Sequence, residues 1–564
     1  MVRRLFLASV GVWMLVNDAT YALTPNEVPS AADAGRIRPE QKLENLERFV
    51  PPSSVIPERA TPLIQAPAGA EDVHFDLKSV TFEGVKQFDT AKDFKEELAP
   101  YIGNTITLKQ VYELAALVTR RYRESGYLLS YAYVPDQNIR DGEVTIAVVE
   151  GFISDVRIEG DDPNARISNA YIEHLLSERP LRNKTLESIL LRLNDLPGRN
   201  YRAVLSKEED LAREEAVLTL IPQAKDSRLN VAYDNYSSRY LGPNEVSATY
   251  TDHFLPLQQT TLFGLTSLPV DELNYVLVNH SWVFAADWTL EGTASYTQSE
   301  PGYTLTPLNI NSETRSAAIG FKYQLIRQRN ENLFARFTSE FRNVSSDILG
   351  DTTLTRDKIR TVKVALSYDK IDNWEGNNIY NLTFTQGIDG LGGSEQGDEN
   401  LSRSQARPDF QKLELSVSRI QRLSDAWSLQ LQVAGQVASD PLYSSEEFGV
   451  GGQLYGRAFD SSEIVGDSGA SGTIELRYTG LRILQPINFE PYIFFDGGVV
   501  RNRDVGQSEH ESLTSAGGGI RFATTQGQAG LVGFAVPLTR EVDAPIFGQG
   551  RSSPRIILQV SQQF

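Results

Sequence analysis

From residue 226 to its C-terminus, the chain consists of short segments in which apolar and polar residues alternate. In one segment Leu429, Leu431 and Val433 share one face of an extended chain, and the polar residues between them share the other. Such a period of two, with one apolar and one polar face, predicts strands that contact two different solvents. In a soluble sandwich the polar face meets water outside. In a transmembrane barrel the polar face lines the lumen and the apolar face meets lipid.

Sixteen candidate strands lie in this region, and their number favours the barrel. They are centred near Ala232, Thr249, Phe263, Val278, Thr293, Ile319, Phe337, Val364, Thr383, Leu415, Leu431, Glu475, Phe494, Gly519, Phe534 and Val560. Each strand with its connection takes about 21 residues, of which roughly 9–11 are enough to cross a bilayer. Even strand numbers are typical of bacterial barrels, and the last segment ends on the aromatic Phe564. We therefore expect a mainly β protein with a 16-stranded antiparallel transmembrane β-barrel over residues 226–564.

Two α/β units precede the barrel, over residues 73–151 and 152–225. In the first unit, apolar residues three and four apart predict an amphipathic helix that ends at Gly126. The second unit repeats the order strand, helix, helix, strand, strand, and its second helix ends at Pro197-Gly198. Two units of roughly 75 residues with one βααββ pattern indicate an internal repeat.

The pattern at the N-terminus predicts an export signal. Residues 1–22 combine Arg3 and Arg4 with an apolar stretch and small residues that would allow cleavage after Ala22. This pattern predicts a secretory signal peptide, with a buried N-terminal helix as the alternative.

A helix and a linker are expected between this signal and the first α/β unit. Residues 30–48 are helical in pattern, Ser30 and Asp33 resemble a capping box, and Pro39 predicts a kink or a restart. Residues 49–72 contain five prolines within 17 positions and predict an extended, semi-rigid linker. The alternative is a disordered leader with a weak helix.

Composition excludes several classes of function. The formal net charge of −19 argues against nucleic acid as a partner, since nucleic-acid binding needs a basic face. After the first twenty residues no apolar run reaches 18, which rules out helical membrane spans. Without cysteine there is no disulfide framework and no thiolate metal site, and the five histidines are scattered, so we expect no metal.

The sequence offers no catalytic constellation. It lacks a phosphate-binding loop of the G-x-x-x-x-G-K-[ST] type and an H-E-x-x-H motif, so we expect no enzyme activity and no cofactor. Residues 466–469, Gly-Asp-Ser-Gly, resemble a serine-protease nucleophile loop, but no histidine lies in a matching context, which favours a turn. The carboxylate pair Glu446-Glu447 is expected to lie in a solvated loop.

At this level of detail the chain resembles a known family, the two-partner secretion (type Vb) transporters of the POTRA-plus-barrel superfamily, of the haemolysin/haemagglutinin secretion-activation type. The resemblance covers essentially the whole mature chain. It is carried by the segments 32–36 (ADAGR), 135–151 (PDQNIRDGEVTIAVVEG), 193–198 (LNDLPG), 234–236 (DNY) and 238–240 (SRY). It implies that residues 30–48 are a plug helix and that the two α/β units are periplasmic POTRA domains.

The most specific part of the resemblance lies between the eleventh and twelfth predicted strands. There the family has a loop that folds back into the lumen, and the matching residues here are Gly451, Gly452, Gly456, Arg457 and Phe459, with Ala458 where the family has glycine. The family's inward strand motif, whose aspartate receives the arginine, matches Phe494, Asp496 and Gly498. By the same resemblance Phe564 is a C-terminal signal for barrel assembly.

The resemblance implies a translocase in the bacterial outer membrane that captures a large exoprotein with its POTRA domains and secretes it through the barrel. The implied partners are this secreted client, which is expected to be β-helical, the outer-membrane lipid, and the barrel-assembly machinery during biogenesis. An outer-membrane assembly and insertion factor is the main alternative, although that branch usually has more POTRA domains and lacks the plug helix. A nutrient receptor is a third possibility, but it would have about 22 strands and a folded plug.

Overall fold

The computed structural model describes residues 28–36, 65–139, 141–207, 212–350, 352–484, 487–503, 509–539 and 554–564. Residues from 228 onward form a closed antiparallel barrel in which neighbouring strands in sequence pair and the last strand pairs with the first. In chain order the strands are Arg228–Asp234, Asn244–Asp252, Gln258–Leu268, Leu273–Ala285, Trp288–Ser299, Asn311–Arg327, Glu331–Ile348, Thr352–Ile371, Gly376–Gly387, Gln411–Arg422, Trp427–Ala438, Ser468–Tyr478, Ile487–Arg501, His510–Thr524, Gln528–Pro537 and Arg555–Gln563. The twelfth strand resumes after a break as Leu481–Leu484.

The predicted sixteen-stranded barrel is confirmed, and each predicted strand centre lies within one of these strands. The alternation in the sequence matches the two faces of the wall. On the outer face Val433 and Val437 are 55% and 66% exposed, while Gln430 and Gln436 on the inner face are buried. The apolar positions that in a soluble protein would form a core therefore cover the outside of this barrel.

The connections differ between the two ends of the barrel. At one end, the turn end, they are short, such as Ala286-Asp287 between the fourth and fifth strands. At the other, the loop end, several are much longer, and we number all connections at this end in chain order. Loop one covers residues 235–243, loop three 300–310, loop five 388–410 and loop six 439–467.

The first α/β unit has a three-stranded sheet in the order Ser79–Glu83, Glu143–Val149, Tyr131–Tyr133. Its main helix, Leu108–Glu124, begins with a capping box of Thr107 and Gln110 and packs its apolar face on this sheet. A further short strand, His74–Asp76, precedes Ser79–Glu83 and pairs separately with Thr105–Thr107, and Leu77 between the two strands is fully buried.

The second unit repeats this order without the extra pair of strands. Its sheet has the order Phe152–Ile158, Glu215–Ala224, Arg199–Ser206, covered by the helices Ala165–Ser177 and Asn183–Asp195. Among the described residues, no helix is long and apolar enough to cross a bilayer.

The second unit is fastened to the turn end of the barrel. Asp195 accepts two hydrogen bonds from Arg327, at 2.6 and 2.8 Å. Asp287, in the turn between the fourth and fifth strands, accepts from Tyr171 at 3.0 Å and pairs with Arg192. Because these contacts involve two different turns, they fix both the position and the orientation of the unit against the barrel.

Residues 28–36, here called the N-terminal segment, lie at the loop end of the barrel. The structure shows two 3-10 turns, Ser30–Ala32 and Ala34–Arg36, where the sequence predicts the start of an α-helix. The expected capping box does not form, since the Ser30 hydroxyl donates to the Ser462 carbonyl instead, and Asp33 accepts from the Gly35 amide. Long-range contacts thus replace the local cap.

The other N-terminal predictions are only partly within the described residues. The signal peptide, residues 1–22, and residues 37–64, which include Pro39 and most of the linker, lie outside them. The end of the linker is described and differs from an extended spacer. It turns at Pro67 to Asp72, and Ala70 is buried beside the start of the helix Leu108–Glu124.

Candidate functional site in the barrel lumen

Loop six leaves the eleventh strand and folds back into the barrel. Two short strands, Phe448–Val450 and Ile464–Gly466, pair antiparallel and form its stalk. The tip between them carries the predicted motif, and Val450, Phe459 and Ile464 are almost fully buried. They pack with Tyr492 and other lumen residues of the last strands, so the loop occupies one side of the lumen.

The bend at the tip depends on Gly456. Its φ of +85° lies in the left-handed region, and an added Cβ would lie 2.7 Å from the Leu513 side chain. Ala458, which stands where the family has glycine, is not among the residues with positive φ, so an alanine fits there without strain. Gly451 and Gly452 also have positive φ, at +127° and +85°.

Arg457 contacts Asp496 through both its side chain and its backbone. The guanidinium donates from Nε and Nη2 to the two oxygens of Asp496, at 3.0 and 2.9 Å. The backbone amides of Gly456 and Arg457 donate to the same carboxylate, at 3.2 and 3.0 Å. The Arg457 side chain is 6% exposed and that of Asp496 is fully buried. This is a bidentate, charge-assisted contact shielded from water.

Two further acceptors of Arg457 are not part of the motif found in the sequence. Glu475 accepts from Nη1 at 2.6 Å and Thr473 from Nη2 at 2.8 Å. Both lie on the inner face of the twelfth strand, where Thr473 pairs with Asp496 in the sheet. Glu475 in turn accepts from Arg477 and Arg521, at 2.7 and 2.9 Å. The alternation along this strand places Glu475 inward, which was the one signal available in the sequence.

The remaining motif residues surround this contact. The Phe494 ring lies 3.5 Å from the Arg457 guanidinium carbon, in cation–π geometry. Gly498 leaves room for the stalk of the loop, because a Cβ there would lie 2.5 Å from the Val450 side chain. The structure thus brings Arg457, Phe494 and Asp496 into direct contact.

Phe564 lies far from this site, at the turn end of the closing seam. Its amide donates to the Leu229 carbonyl at 2.8 Å, and its side chain is 70% exposed on the outside of the barrel.

A second attachment of loop six, absent from the sequence prediction, lies at the seam between the first and last strands. Asp460 accepts from Arg239 of loop one at 2.5 Å. Arg555, the first residue of the last strand, donates to the carbonyls of Phe459, Asn235 and Ser237, at 2.5, 2.9 and 2.9 Å. These residues come from three separate stretches of chain, so no local pattern relates them.

The sequence interpretation of Glu446-Glu447 as a solvated pair is wrong. Both side chains are at most 2% exposed, because Lys412 pairs with Glu446 at 2.9 Å and Arg403 pairs with Glu447 at 3.1 Å. Asp467, in the Gly-Asp-Ser-Gly stretch, accepts from Arg403 at 2.5 and 3.1 Å. Loops five and six therefore share a buried charged core at the loop end. Across the ranges that the structure covers, no three acidic or histidine residues are arranged to hold a metal ion.

Comparison with known proteins agrees with this architecture. The family model described as haemolysin secretion/activation protein ShlB/FhaC/HecB matches residues 217–522, and the ShlB-type POTRA domain matches residues 75–151. The heme/hemopexin transporter protein HuxB of Haemophilus influenzae (strain 86-028NP) is 23% identical over 532 residues, covering 91% of this chain and 92% of the relative. The outer membrane transporter CdiB of Dickeya dadantii (strain 3937) is 21% identical over 490 residues, covering 82% and 83%.

Solved structures show the same fold. CdiB from Escherichia coli superposes with a TM-score of 0.68 at 18% identity, covering 97% of this chain and all of the other. BamA from Haemophilus ducreyi, lacking POTRA domains 1–3, gives a TM-score of 0.54 at 11% identity, covering 87% of this chain and all of the other. Since the first family model spans more than half of the sequence, the chain belongs to the haemolysin secretion/activation protein family and is a two-partner secretion transporter of the outer membrane.

Proposed function

We propose that this transporter secretes one large, β-helical exoprotein, which its POTRA domains capture in extended form and its barrel passes to the cell surface. The observation that carries the proposal is a barrel with a polar inner face, joined through the second of two α/β units whose sheets have outer strands. With no phosphate-binding loop in the sequence, export would draw on folding of the client outside the cell rather than on nucleotide hydrolysis.

Charged side chains on the inner face of the barrel form ion pairs with one another, and this supports passage of a polypeptide through the lumen. On the fifth to seventh strands Glu291 lies 3.2 Å from Lys322 and 2.9 Å from Arg336. On the seventh and eighth strands Glu340 pairs with Lys363 at 2.5 Å. Such a wall offers hydrogen bonds to an extended backbone without a large unpaired charge to trap it.

The second POTRA domain offers two outer strands for capture, and they differ in access. At Arg199–Ser206 the Asn194 side chain already binds the edge, accepting from the Tyr201 amide at 2.7 Å and donating to its carbonyl at 3.3 Å. The other outer strand, Phe152–Ile158, presents Asp155 and Arg157 to solvent. We therefore favour Phe152–Ile158 as the strand on which a client segment adds by β-augmentation.

The anchored loop and the N-terminal segment complete the proposal. The contact of Arg457 with Asp496 would hold loop six against the wall while the rest of the lumen stays available. The segment beginning at Ser30 would act as a plug that leaves during secretion. Deletion of residues 30–48 should then raise ion conductance in planar bilayers and leave client secretion largely intact.

Biogenesis would use two further partners. The exposed Phe564 would be read by the barrel-assembly machinery, and the apolar outer face would contact outer-membrane lipid. Removal of Phe564 should lower the amount of inserted barrel without changing secretion per inserted molecule.

Crosslinking tests client capture directly, since the chain has no cysteine of its own. Full-length transporter with Asp155→Cys should crosslink to cysteines in the N-terminal fragment of a large secreted protein encoded beside it. Asn200→Cys, at a position that is also exposed on the other outer strand, is the matched control. Stronger crosslinking at residue 200, or crosslinking only to a folded client, would contradict capture at Phe152–Ile158.

A further inference from the structure

Loops one, three and six all contact the N-terminal segment at the loop end of the barrel. The Ser30 hydroxyl donates to the Ser462 carbonyl of loop six at 2.7 Å, and Ser238 of loop one donates to the Ala31 carbonyl at 2.5 Å. Ala32 is buried in an apolar cluster with Leu305 of loop three. The segment is therefore seated in a defined site and not simply resting in the lumen.

Small side chains make this close fit possible. A Cβ on Gly35 would lie 3.0 Å from the Val344 side chain of the seventh strand and 3.4 Å from Ser445 of loop six. The Gly35 carbonyl accepts from Arg342 at 3.3 Å. The wall and loop six thus hold the backbone of the segment between them.

One ion pair connects the segment to the buried charged core of the loops. Arg36 donates from Nη2 to Glu447 at 2.7 Å, and Asp33 accepts from the Ser444 hydroxyl at 2.8 Å. The Arg36 side chain is 10% exposed and that of Glu447 is 1% exposed. A charge-assisted bond this sheltered from water is stronger than a surface ion pair.

Glu447 is held in place for Arg36 by loop five. Its other oxygen lies 3.1 Å from Arg403, which is fixed by Asp467 and by the Leu442 carbonyl at 2.9 Å. Arg36, Glu447, Arg403 and Asp467 thus form an alternating row of charges, and Arg36 also lies 3.3 Å from Asp33 of its own segment. The last three belong to the loops and remain paired among themselves when the segment leaves.

We propose that Arg36 and Glu447 form a latch by which loops five and six hold the N-terminal segment closed in the extracellular mouth of the barrel. This inference rests on the proposed role of the segment as a plug, and it assigns control of plug release to the extracellular loops. Breaking the latch would open the pore without disturbing the attachments of loop six to the wall, because Glu447 and Arg457 use separate partners.

Conductance of the full mature chain in planar bilayers tests the latch. Loss of one sheltered charge-assisted bond should raise the ratio of open to closed time by roughly 10- to 100-fold in Arg36→Gln and in Glu447→Gln. Arg315→Gln, which removes an exposed arginine paired with Glu313 on the outside, should behave as wild type. Comparable heat-modifiable migration on gels establishes that the variants are folded to the same extent.

A disulfide gives a second, independent measurement. The double variant Ser30→Cys with Ser462→Cys should lock the segment when oxidised, abolishing both the openings and client secretion, and reduction should restore both. Openings that persist after complete disulfide formation would overturn the plug, and the latch with it.

The two hypotheses fail in different ways. If deletion of residues 30–48 opens the pore but Arg36→Gln and Glu447→Gln leave the open time unchanged, the latch is wrong and the plug stands. If the deletion itself leaves conductance unchanged, the plug and the latch are both wrong.

Discussion

Replacing Arg457 by alanine tests whether loop six must be anchored for secretion. The substitution removes the bonds to Asp496, Glu475 and Thr473 and the contact with the Phe494 ring. Breaking a buried ion pair costs about 3–5 kcal/mol. The acceptors left behind keep other donors, since Glu475 retains Arg477 and Arg521 and Asp496 retains two backbone amides. We therefore expect the lower value, about 3 kcal/mol.

A loss of this size lowers the ratio of anchored to released loop by roughly 100-fold, since about 1.4 kcal/mol corresponds to a factor of ten. Asp496→Ala should cost more, because it also leaves the amides of Gly456 and Arg457 without their acceptor. Arg457→Lys should rescue poorly, since an ammonium group lacks the planar fork that spans three acceptors. The double variant should be little worse than Asp496→Ala, as expected for partners in one contact.

The assay combines secreted client in the medium with the position of the loop. A single cysteine at Leu454, near the tip, should react with an external reagent faster once the loop is released. Arg315→Ala is the matched control, because its pair with Glu313 at 2.7 Å lies on the exposed outer surface. If Arg457→Ala releases the loop but secretes at the wild-type level, anchoring is unnecessary for transport. If the loop stays in place, the energetic reasoning is wrong.

Three further predictions concern the tip of loop six and the junction of the second α/β unit with the barrel. Gly456→Ala should reduce the thermal stability of the folded barrel, whereas Ala458→Gly should be nearly neutral, because of these two positions only 456 has a positive φ. Thermal melting in detergent, followed by circular dichroism, compares the two variants. Burial lowers the pKa of Lys225 in the folded chain to about 8. Between about pH 8 and the ordinary pKa of lysine, the unfolded chain therefore binds more protons than the folded chain. The free energy of unfolding should rise with pH across this window. Calorimetry of the wild type and Lys225→Met measures this slope, which should be smaller in the variant. Asp195→Asn should weaken the contact with Arg327 and broaden the distance distribution between spin labels on the second α/β unit and the barrel. An unchanged distribution would show that this pair is dispensable for docking.

The sequence predicts the barrel well because the cause of its strands is local. A lipid solvent outside and a polar lumen inside impose a period of two, so Leu431 or Phe494 can be assigned to a strand and a face from its neighbours alone. The contact of Arg457 with Asp496 was accessible only through the family resemblance. Nothing in the local pattern links residues 39 positions apart.

The errors fall where distant segments meet. Glu446 and Glu447 look like a solvated pair in sequence, but cations from distant segments, Lys412 for Glu446 and Arg403 and Arg36 for Glu447, allow them to be buried. The start of the plug helix was predicted from Ser30 as a cap, but its hydroxyl binds a loop more than 400 residues away. Side chains that serve such distant partners cannot be identified from helical or strand periodicity.

Arg555 has a consequence for the order of assembly. It begins the last strand, yet its carbonyl acceptors lie in loop one and at the tip of loop six. A guanidinium this deeply buried is stable only when those acceptors are already in place. The outer half of the last strand therefore cannot complete its pairing before the tip has entered the lumen, and closure of the cylinder and docking of the loop become one cooperative step.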